Sequence, residues 1–146
     1  SKKTMKKLGM ILTLVGGLWL MTACSSGNTP SAVVEKALKG LVAGDVRAYT
    51  SKMIFEEDAE PEKEKEAQED FAKMMESELA KQDEQKKVTA IEVLGEELSK
   101  TGTYAKVTYK ETLANGKESE HSIYLTKDKE GAWRILLFGS DKMLDE

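Results

Sequence analysis

A chain of 146 residues, with 22 Lys and Arg against 26 Asp and Glu, has the length of one ordinary domain. The charged fraction of 33% excludes a bundle embedded in a membrane. One cysteine cannot form an internal disulfide, and one cysteine with one histidine excludes the usual zinc cluster. Because nucleic acid requires a basic protein surface, the acidic balance argues against it as a partner. We expect no metal and no cofactor.

The first residues have the layout of an export signal. Lysines between positions 2 and 7 precede an uncharged, mostly apolar run over residues 8–23, shorter than the roughly 20 residues that cross a bilayer as a helix. A basic start, a short apolar stretch and a small residue before the cut are typical of a secretory signal peptide. The final residues resemble the lipobox of bacterial lipoprotein precursors, with Met in place of the commoner Leu: Met21, Thr22, Ala23 and Cys24.

The lipobox resemblance implies cleavage between Ala23 and Cys24 and attachment of lipid to the Cys24 thiol. A thiol is nucleophilic enough to accept a diacylglyceryl group, and two or three acyl chains hold a protein durably on a membrane. We therefore expect a signal peptide over residues 1–23, a flexible lipidated tether over 24–28 and one domain over 29–146. The alternative is that Cys24 is a buried residue that ends an apolar helix. No Asp follows Cys24, which in the lipoprotein sorting of enteric bacteria favours the outer membrane.

The domain begins with helix signals. Thr29 followed by Pro30 is typical of a helix start, with a capping hydroxyl and a proline at the first helical position. Apolar residues then recur with helical spacing at Val34, Ala37, Leu38, Leu41 and Val42. Next, Gly44 predicts the end of this helix. Asp45 predicts the start of a second, short helix that ends near Phe55.

A third helix is predicted to begin at Pro61, within an acidic stretch. Residues 56–70 hold nine acidic side chains and two lysines. Acidic first turns suit the positive end of a helix dipole. A calcium site is the alternative, but the stretch lacks the residue pattern of a dedicated calcium loop, so we expect a solvated helix face. Its narrow apolar stripe consists of Phe71, Met74, Met75 and Leu79.

After residue 87 the pattern changes to strands. Four stretches rich in Val, Ile, Thr, Tyr and Trp, over residues 88–98, 103–113, 118–127 and 132–138, are separated by short turn signals. Consecutive strands with short turns form an antiparallel meander. Helices that precede strands indicate an α+β fold, with the helices packed on a four-stranded antiparallel meander.

The turn at residues 114–116 predicts the register of one hairpin. A two-residue loop would place Val107 opposite Tyr124, whereas a three-residue loop with Gly116 in the left-handed conformation places Val107 opposite Ile123. The second register pairs apolar with apolar side chains and also sets Tyr109 opposite His121. The other face then carries a lattice of charges: Lys106, Lys110, Glu118 and Glu120.

The last strand is apolar on both faces, as Trp133, Ile135, Leu136, Leu137 and Phe138 show. Such a strand requires cover on both sides. Since a sheet of this size has one layer of helices, a second copy of the chain is the expected second cover, as a homodimer through the outer face of the sheet.

The order of these elements resembles a known superfamily. The Thr-Pro helix start, Gly44 with Asp45, the meander and the closing Gly-x-Trp-x-Ile at 131–135 are similar to the cone-shaped α+β fold of nuclear transport factor two and the SnoaL-like (cystatin-like) proteins. Within it, the chain resembles small bacterial lipoproteins that carry a domain of unknown function. The resemblance covers residues 29–139. It implies a curved sheet, a pocket between sheet and helices, and dimerisation through the outer sheet face.

Enzymes of this superfamily, such as ketosteroid-isomerase-like members, use a carboxylate base in an apolar pocket opposite acidic hydrogen-bond donors. The candidate pocket residues here are Tyr49, Tyr109, His121 and Trp133, with Glu111 as a further inward candidate. No carboxylate is clearly placed among apolar strand neighbours. The sequence also lacks a Gly-rich phosphate loop and a Gly-x-Ser-x-Gly elbow. A catalytic set is therefore not assigned.

Three functions fit these features. The first is a non-catalytic accessory domain, anchored to the membrane of the cell envelope through lipid on Cys24, that binds a small molecule or an envelope protein. The second is an isomerase, dehydratase or hydrolase that uses Tyr109 and His121 as donor and base. The third is a structural envelope protein whose acidic helix contacts cationic partners.

Overall fold

The computed structural model describes residues 27–146. The predicted signal peptide, the lipobox residues Ala23 and Cys24, and the predicted tether up to residue 26 lie outside this part. Within residues 27–146, no helix has the length and apolar character needed to cross a membrane.

Two helices open the domain, α1 (Pro30–Val42) and α2 (Val46–Thr50). The Thr29 hydroxyl caps α1 by accepting a 3.1 Å hydrogen bond from the Ala32 N–H, as predicted. At the other end Gly44 has φ of 93°, which favours glycine, and the N–H groups of Gly44 and Asp45 bond back to carbonyls of the last helical turn. The predicted stop at Gly44 is confirmed.

The sheet contains five strands rather than four. The strands are β1 (Met53–Ile54), β2 (Val88–Leu98), β3 (Tyr104–Leu113), β4 (Glu118–Lys127) and β5 (Trp133–Leu136). Their order is β1-β5-β4-β3-β2, and β2 to β5 form the antiparallel meander. However, β1 pairs with β5 in parallel, so the sheet is mixed and the prediction of a purely antiparallel four-stranded sheet is corrected.

The predicted extent of the second helix is also wrong. This helix ends at Thr50, and the next apolar residues form β1, with Met53 opposite Ile135. Met53 is 1% exposed, so the edge position beside β5 buries it completely. An isolated apolar pair carries no period that separates a helix from a strand, which explains the error.

The β3–β4 hairpin has the predicted register. Its three-residue turn over 114–116 places Gly116 at φ of 89°, and Val107 lies opposite Ile123. Tyr109 lies opposite His121, also as predicted. On the outer face, the Lys110 ammonium lies 3.4 Å from Glu92 and 3.6 Å from Glu118, so part of the expected charge lattice is present.

The core lies between α1 and the inner face of the sheet. Val34 of α1 and Val107, Leu125 and Ile135 of the sheet are all fully buried. The strand β2 contains irregularities between Val88 and Ala90 and between Val93 and Gly95. Such β-bulges bend a strand locally and strengthen its twist.

The third helix, α3 (Pro61–Lys81), begins at Pro61 as predicted. Phe71 packs against Phe55 with ring centroids 5.9 Å apart, and Ala72 is fully buried. Met74 does not belong to the buried stripe, because it is 54% exposed. The helix therefore contacts the domain along a narrower line than the apolar pattern predicts.

The C-terminal segment crosses the outer face of the sheet. The Asp141 carboxylate accepts from the Tyr124 hydroxyl and lies 2.8 Å from the Lys106 ammonium. The last strand ends at Leu136, two residues before its predicted end, and Phe138 is 84% exposed. The homodimer through this face stays a prediction, and Phe138 is the apolar side chain that it would bury.

Arg134 connects three parts of the fold. Its guanidinium pairs with Glu64 of α3, lies 3.3 Å from Asp128, and donates to the Met53 carbonyl of β1. The three charged side chains are only 13% to 22% exposed. Charges at such depth are stabilised only while they are paired, so the cluster holds α3 and β1 against β5.

We predict that Arg134→Met lowers the free energy of unfolding by about 2 kcal/mol, because it leaves the carboxylates of Glu64 and Asp128 shielded from water without their partner. Denaturant titration measures the change. Arg47→Met is the matched control: Arg47 also binds two carboxylates, Glu69 and Glu76, but its side chain is 46% exposed. The free energy of unfolding should decrease clearly less in Arg47→Met, because solvent screens exposed ion pairs. Equal losses in both variants would contradict the prediction.

Candidate functional site

A cavity of about 280 Å³ lies between the C-terminal half of α1, the end of α3, and strands β2 and β3. Most of its wall is aliphatic, from Leu38, Leu41, Val42, Leu79, Val88 and Ile91. The polar side chains of its wall are Gln82, Lys87, Tyr109 and Glu111. Gly44, at the end of α1, completes the lining.

Tyr109 is placed in the wall by the alternation of β3, which turns Val107, Tyr109 and Glu111 to the same face. Burial, and then the charge of Glu111 and the neighbouring Tyr49, raise the pKa of Tyr109 to about 12. Burial also raises the pKa of Tyr49, which packs against the core from α2. Both phenols therefore remain neutral at physiological pH.

His121 lies beside this wall in a small polar cluster. Its ring centroid is 5.7 Å from that of Tyr109. The Nε2 atom of His121 is 3.2 Å from the Glu111 carboxylate and also 3.2 Å from the Ser119 hydroxyl. The predicted Tyr109 and His121 are thus brought together, and Glu111 is the inward carboxylate that the sequence left unassigned.

The geometry of this cluster differs from that of a catalytic relay. In a relay, a carboxylate orients one imidazole nitrogen while the other nitrogen takes a proton from the nucleophile. Here Glu111 and Ser119 both contact Nε2 of His121. His121 is also 46% exposed, so water competes for the same ring. In this arrangement Nδ1 of His121 has neither Glu111 nor Ser119 as a partner, and the cluster offers hydrogen-bonding groups to a polar ligand.

Trp133 is separated from the other predicted pocket residues. It lies opposite Lys127, whereas Tyr109 lies opposite His121, and six residues along β4 correspond to roughly 20 Å. Trp133 is 5% exposed, and the Lys127 ammonium sits 5.1 Å from its ring centroid. Of the four predicted pocket residues, only Tyr109 lines the cavity of about 280 Å³.

Three residues of the acidic stretch, Asp58, Glu64 and Glu69, form ion pairs, and Glu76 further along α3 forms another. Glu69 and Glu76 bind Arg47, Glu64 binds Arg134, and Asp58 lies 2.6 Å from Lys129. Within residues 27–146, no group of three or more His, Cys, Asp or Glu side chains has the arrangement needed to hold a metal ion. Glu64, Glu69 and Glu76 therefore connect α3 to the rest of the domain, whereas Glu62, Glu66 and Asp70 are exposed.

The pKa of Tyr109 gives a direct test of the site. In an absorbance titration of the tyrosines, we expect the component that ionises near pH 12 to lose the share of one tyrosine in Tyr109→Phe, while Tyr49 and Tyr124, whose pKa values are also raised, keep theirs. Because a raised pKa favours the neutral folded form, this group stabilises the fold fully below pH 10, and the stabilisation is lost as the pH rises towards 12. Tyr104→Phe is the control and should leave the component near pH 12 in place. A Tyr109→Phe titration curve that keeps this component in full would show that Tyr109 is not buried in the wall.

Comparisons with known proteins define the fold. The solved structures include a "Putative NTF2-like transpeptidase" from Campylobacter jejuni, which is 20% identical and aligns with a TM-score of 0.55 over 75% of this chain and all of that one. A SEC-C motif containing protein from Rhodopseudomonas palustris is 15% identical, with a TM-score of 0.48 over 78% of this chain and 80% of that one. No curated protein matches.

The first of these structures shares the NTF2-like fold with this chain, in agreement with the resemblance seen in the sequence. A family model matches residues 23–136, which is most of the chain. The chain therefore belongs to the family DUF4878, a domain of unknown function.

Proposed function

We propose that this protein is a lipid-anchored binding domain of the bacterial cell envelope that holds a small amphipathic molecule without transforming it. The single observation that carries this proposal is the cavity between α1, α3 and the sheet, which combines a mostly aliphatic wall with a few polar groups. Ligand sites typically have this composition, because apolar surface supplies affinity and a few polar groups fix orientation.

The cavity also suggests the class of ligand. Its volume of about 280 Å³ is close to the lower limit of small-molecule sites. The aliphatic side chains suit an apolar body, whereas Lys87 and Glu111 offer one basic and one acidic contact for a polar end. A compact molecule with one apolar and one polar part fits this arrangement best.

The chemistry of the cluster supports binding over catalysis. A pKa of about 12 makes Tyr109 a weaker acid than an ordinary tyrosine, and general acids work best when their pKa is near the operating pH. His121 is contacted by Glu111 and Ser119 at one and the same nitrogen. The isomerase, dehydratase or hydrolase alternative therefore lacks a matched acid and base.

Ligand binding is tested with an uncharged fluorescent probe, N-phenyl-1-naphthylamine. The unmodified protein should bind it saturably, and Leu79→Trp should weaken binding about tenfold or more because the indole fills the cavity. Ala80→Trp is the matched control: Ala80 is the exposed next residue on α3 and does not line the cavity. Absence of saturable binding, or equal loss in both variants, would refute the proposed function.

The membrane anchor rests on the lipobox pattern that ends at Cys24. We predict that the protein recovered from membranes begins at Cys24 and that mass spectrometry finds this residue acylated. Cys24→Ser should leave the signal uncut, so the recovered protein should keep residues 1–23 and carry no acyl group at position 24. Thr22→Ala, which keeps a small residue beside the cut, is the control. Unmodified Cys24 in membrane-bound protein would refute the anchor.

A further inference from the structure

The chain leaves the described domain at one end of the sheet. The Asn28 side chain donates a 2.9 Å hydrogen bond to the Gly131 carbonyl, and its oxygen accepts a 3.2 Å bond from the Trp133 N–H. Asn28, which the sequence assigns to the tether, is therefore docked on the start of β5. Gly27, just before it, has φ of 73°, a backbone conformation that favours glycine.

The distance from this point to the predicted anchor is short. Only four peptide steps connect Cys24 with Asn28, and a fully extended chain covers at most about 14 Å in four steps. Lipid on Cys24 therefore keeps Asn28 and its contacts close to the surface of the bilayer. Because Asn28 is hydrogen-bonded to the domain, residues after Asn28 do not lengthen the tether between the lipid and the domain.

The end of the domain that carries Asn28 is formed by turns. The turn over residues 99–103 joins β2 to β3, the turn over 128–132 joins β4 to β5, and a 2.9 Å bond from the Lys127 N–H to the Thr103 carbonyl links the two regions. Lys100, Lys127 and Lys129 lie in or beside these turns together with Asp128, Glu130 and Glu146, so positive and negative side chains are equal in number there. We call this surface the Asn28 end.

The cavity lies at the opposite end. The helix α1 starts beside Asn28 and has 13 residues, so its last turn at Val42, which lines the cavity, is about 20 Å away. Strand β4 gives the same distance independently, because six residues separate Lys127 at the Asn28 end from His121 beside the cavity wall.

We infer that the anchored protein stands on the membrane with the Asn28 end against the lipid headgroups and the cavity at the distal end, roughly 20 Å further into the aqueous compartment. This inference rests on the proposed lipid anchor at Cys24. If the domain instead lay on its side, α3 would face the membrane surface. This helix has seven acidic and four basic residues. Anionic headgroups repel such a helix.

The orientation restricts how a ligand reaches the cavity. A site about 20 Å above the headgroups takes its ligand from the aqueous compartment and not by extraction from the bilayer. This orientation also leaves the distal end accessible to other envelope proteins. The cavity thus suits a water-soluble amphipathic molecule better than a membrane lipid.

The test uses the full acylated chain in vesicles of phosphatidylcholine and phosphatidylglycerol with a nitroxide quencher on the headgroups. Cys24 is the only native cysteine, so after acylation an introduced cysteine is the only thiol for a fluorophore. We compare Glu130→Cys, in a turn of the Asn28 end, with Lys117→Cys, beside the distal turn; both residues are exposed. Quenching at position 130 should be about threefold stronger, because ten residues separate Lys117 from Lys127 along β4 and the label at 130 is therefore roughly 30 Å closer to the lipid.

A longer tether provides the internal control. About twelve Gly and Ser residues inserted between Gly27 and Asn28 add about 20 Å of average reach and should remove most of the difference. Equal quenching at the two positions without the insertion, in protein whose acylation mass spectrometry confirms, would overturn the inference and leave the anchor intact. Protein that is not acylated at Cys24 would overturn the anchor and the inference together.

Discussion

The register of the β3–β4 hairpin is the constraint on which the site depends. Side chains alternate strictly along a strand, so a slip of one residue would exchange the two faces of β3. Val107 would leave the core, and Tyr109 and Glu111 would leave the cavity wall for the outer face. The three-residue turn over 114–116, with Gly116 at φ of 89°, selects the register that keeps them inward.

The sequence predicts features that are set by neighbouring residues. The Thr29 cap, the stop at Gly44, the start of α3 at Pro61 and the pairing of Tyr109 with His121 each follow from a few positions close together in the chain. Local chemistry decides them, because caps and turns satisfy backbone groups within a few residues. These predictions agree with the structure for that reason.

The features that the sequence missed depend on contacts between distant segments. Strand β1 forms because Met53 pairs with Ile135, which lies far along the chain. The position of the cavity depends on where the end of α3 meets β2. The sequence of α3 does not show in advance that Ala72 is buried and Met74 is exposed. The sequence predicts Trp133 in the pocket because it faces inward, but facing inward does not specify which end of the sheet a residue occupies.

The bulges in β2 have a further consequence at the edge of the sheet. In the described part of the chain, β2 is an outermost strand of the sheet, and its 11 residues could otherwise accept a strand from a neighbouring copy. Two interruptions of its hydrogen-bonding ladder, together with Glu92 and Glu97, make that edge irregular and negatively charged. Copies of the domain are thereby protected from adding edge to edge into fibres.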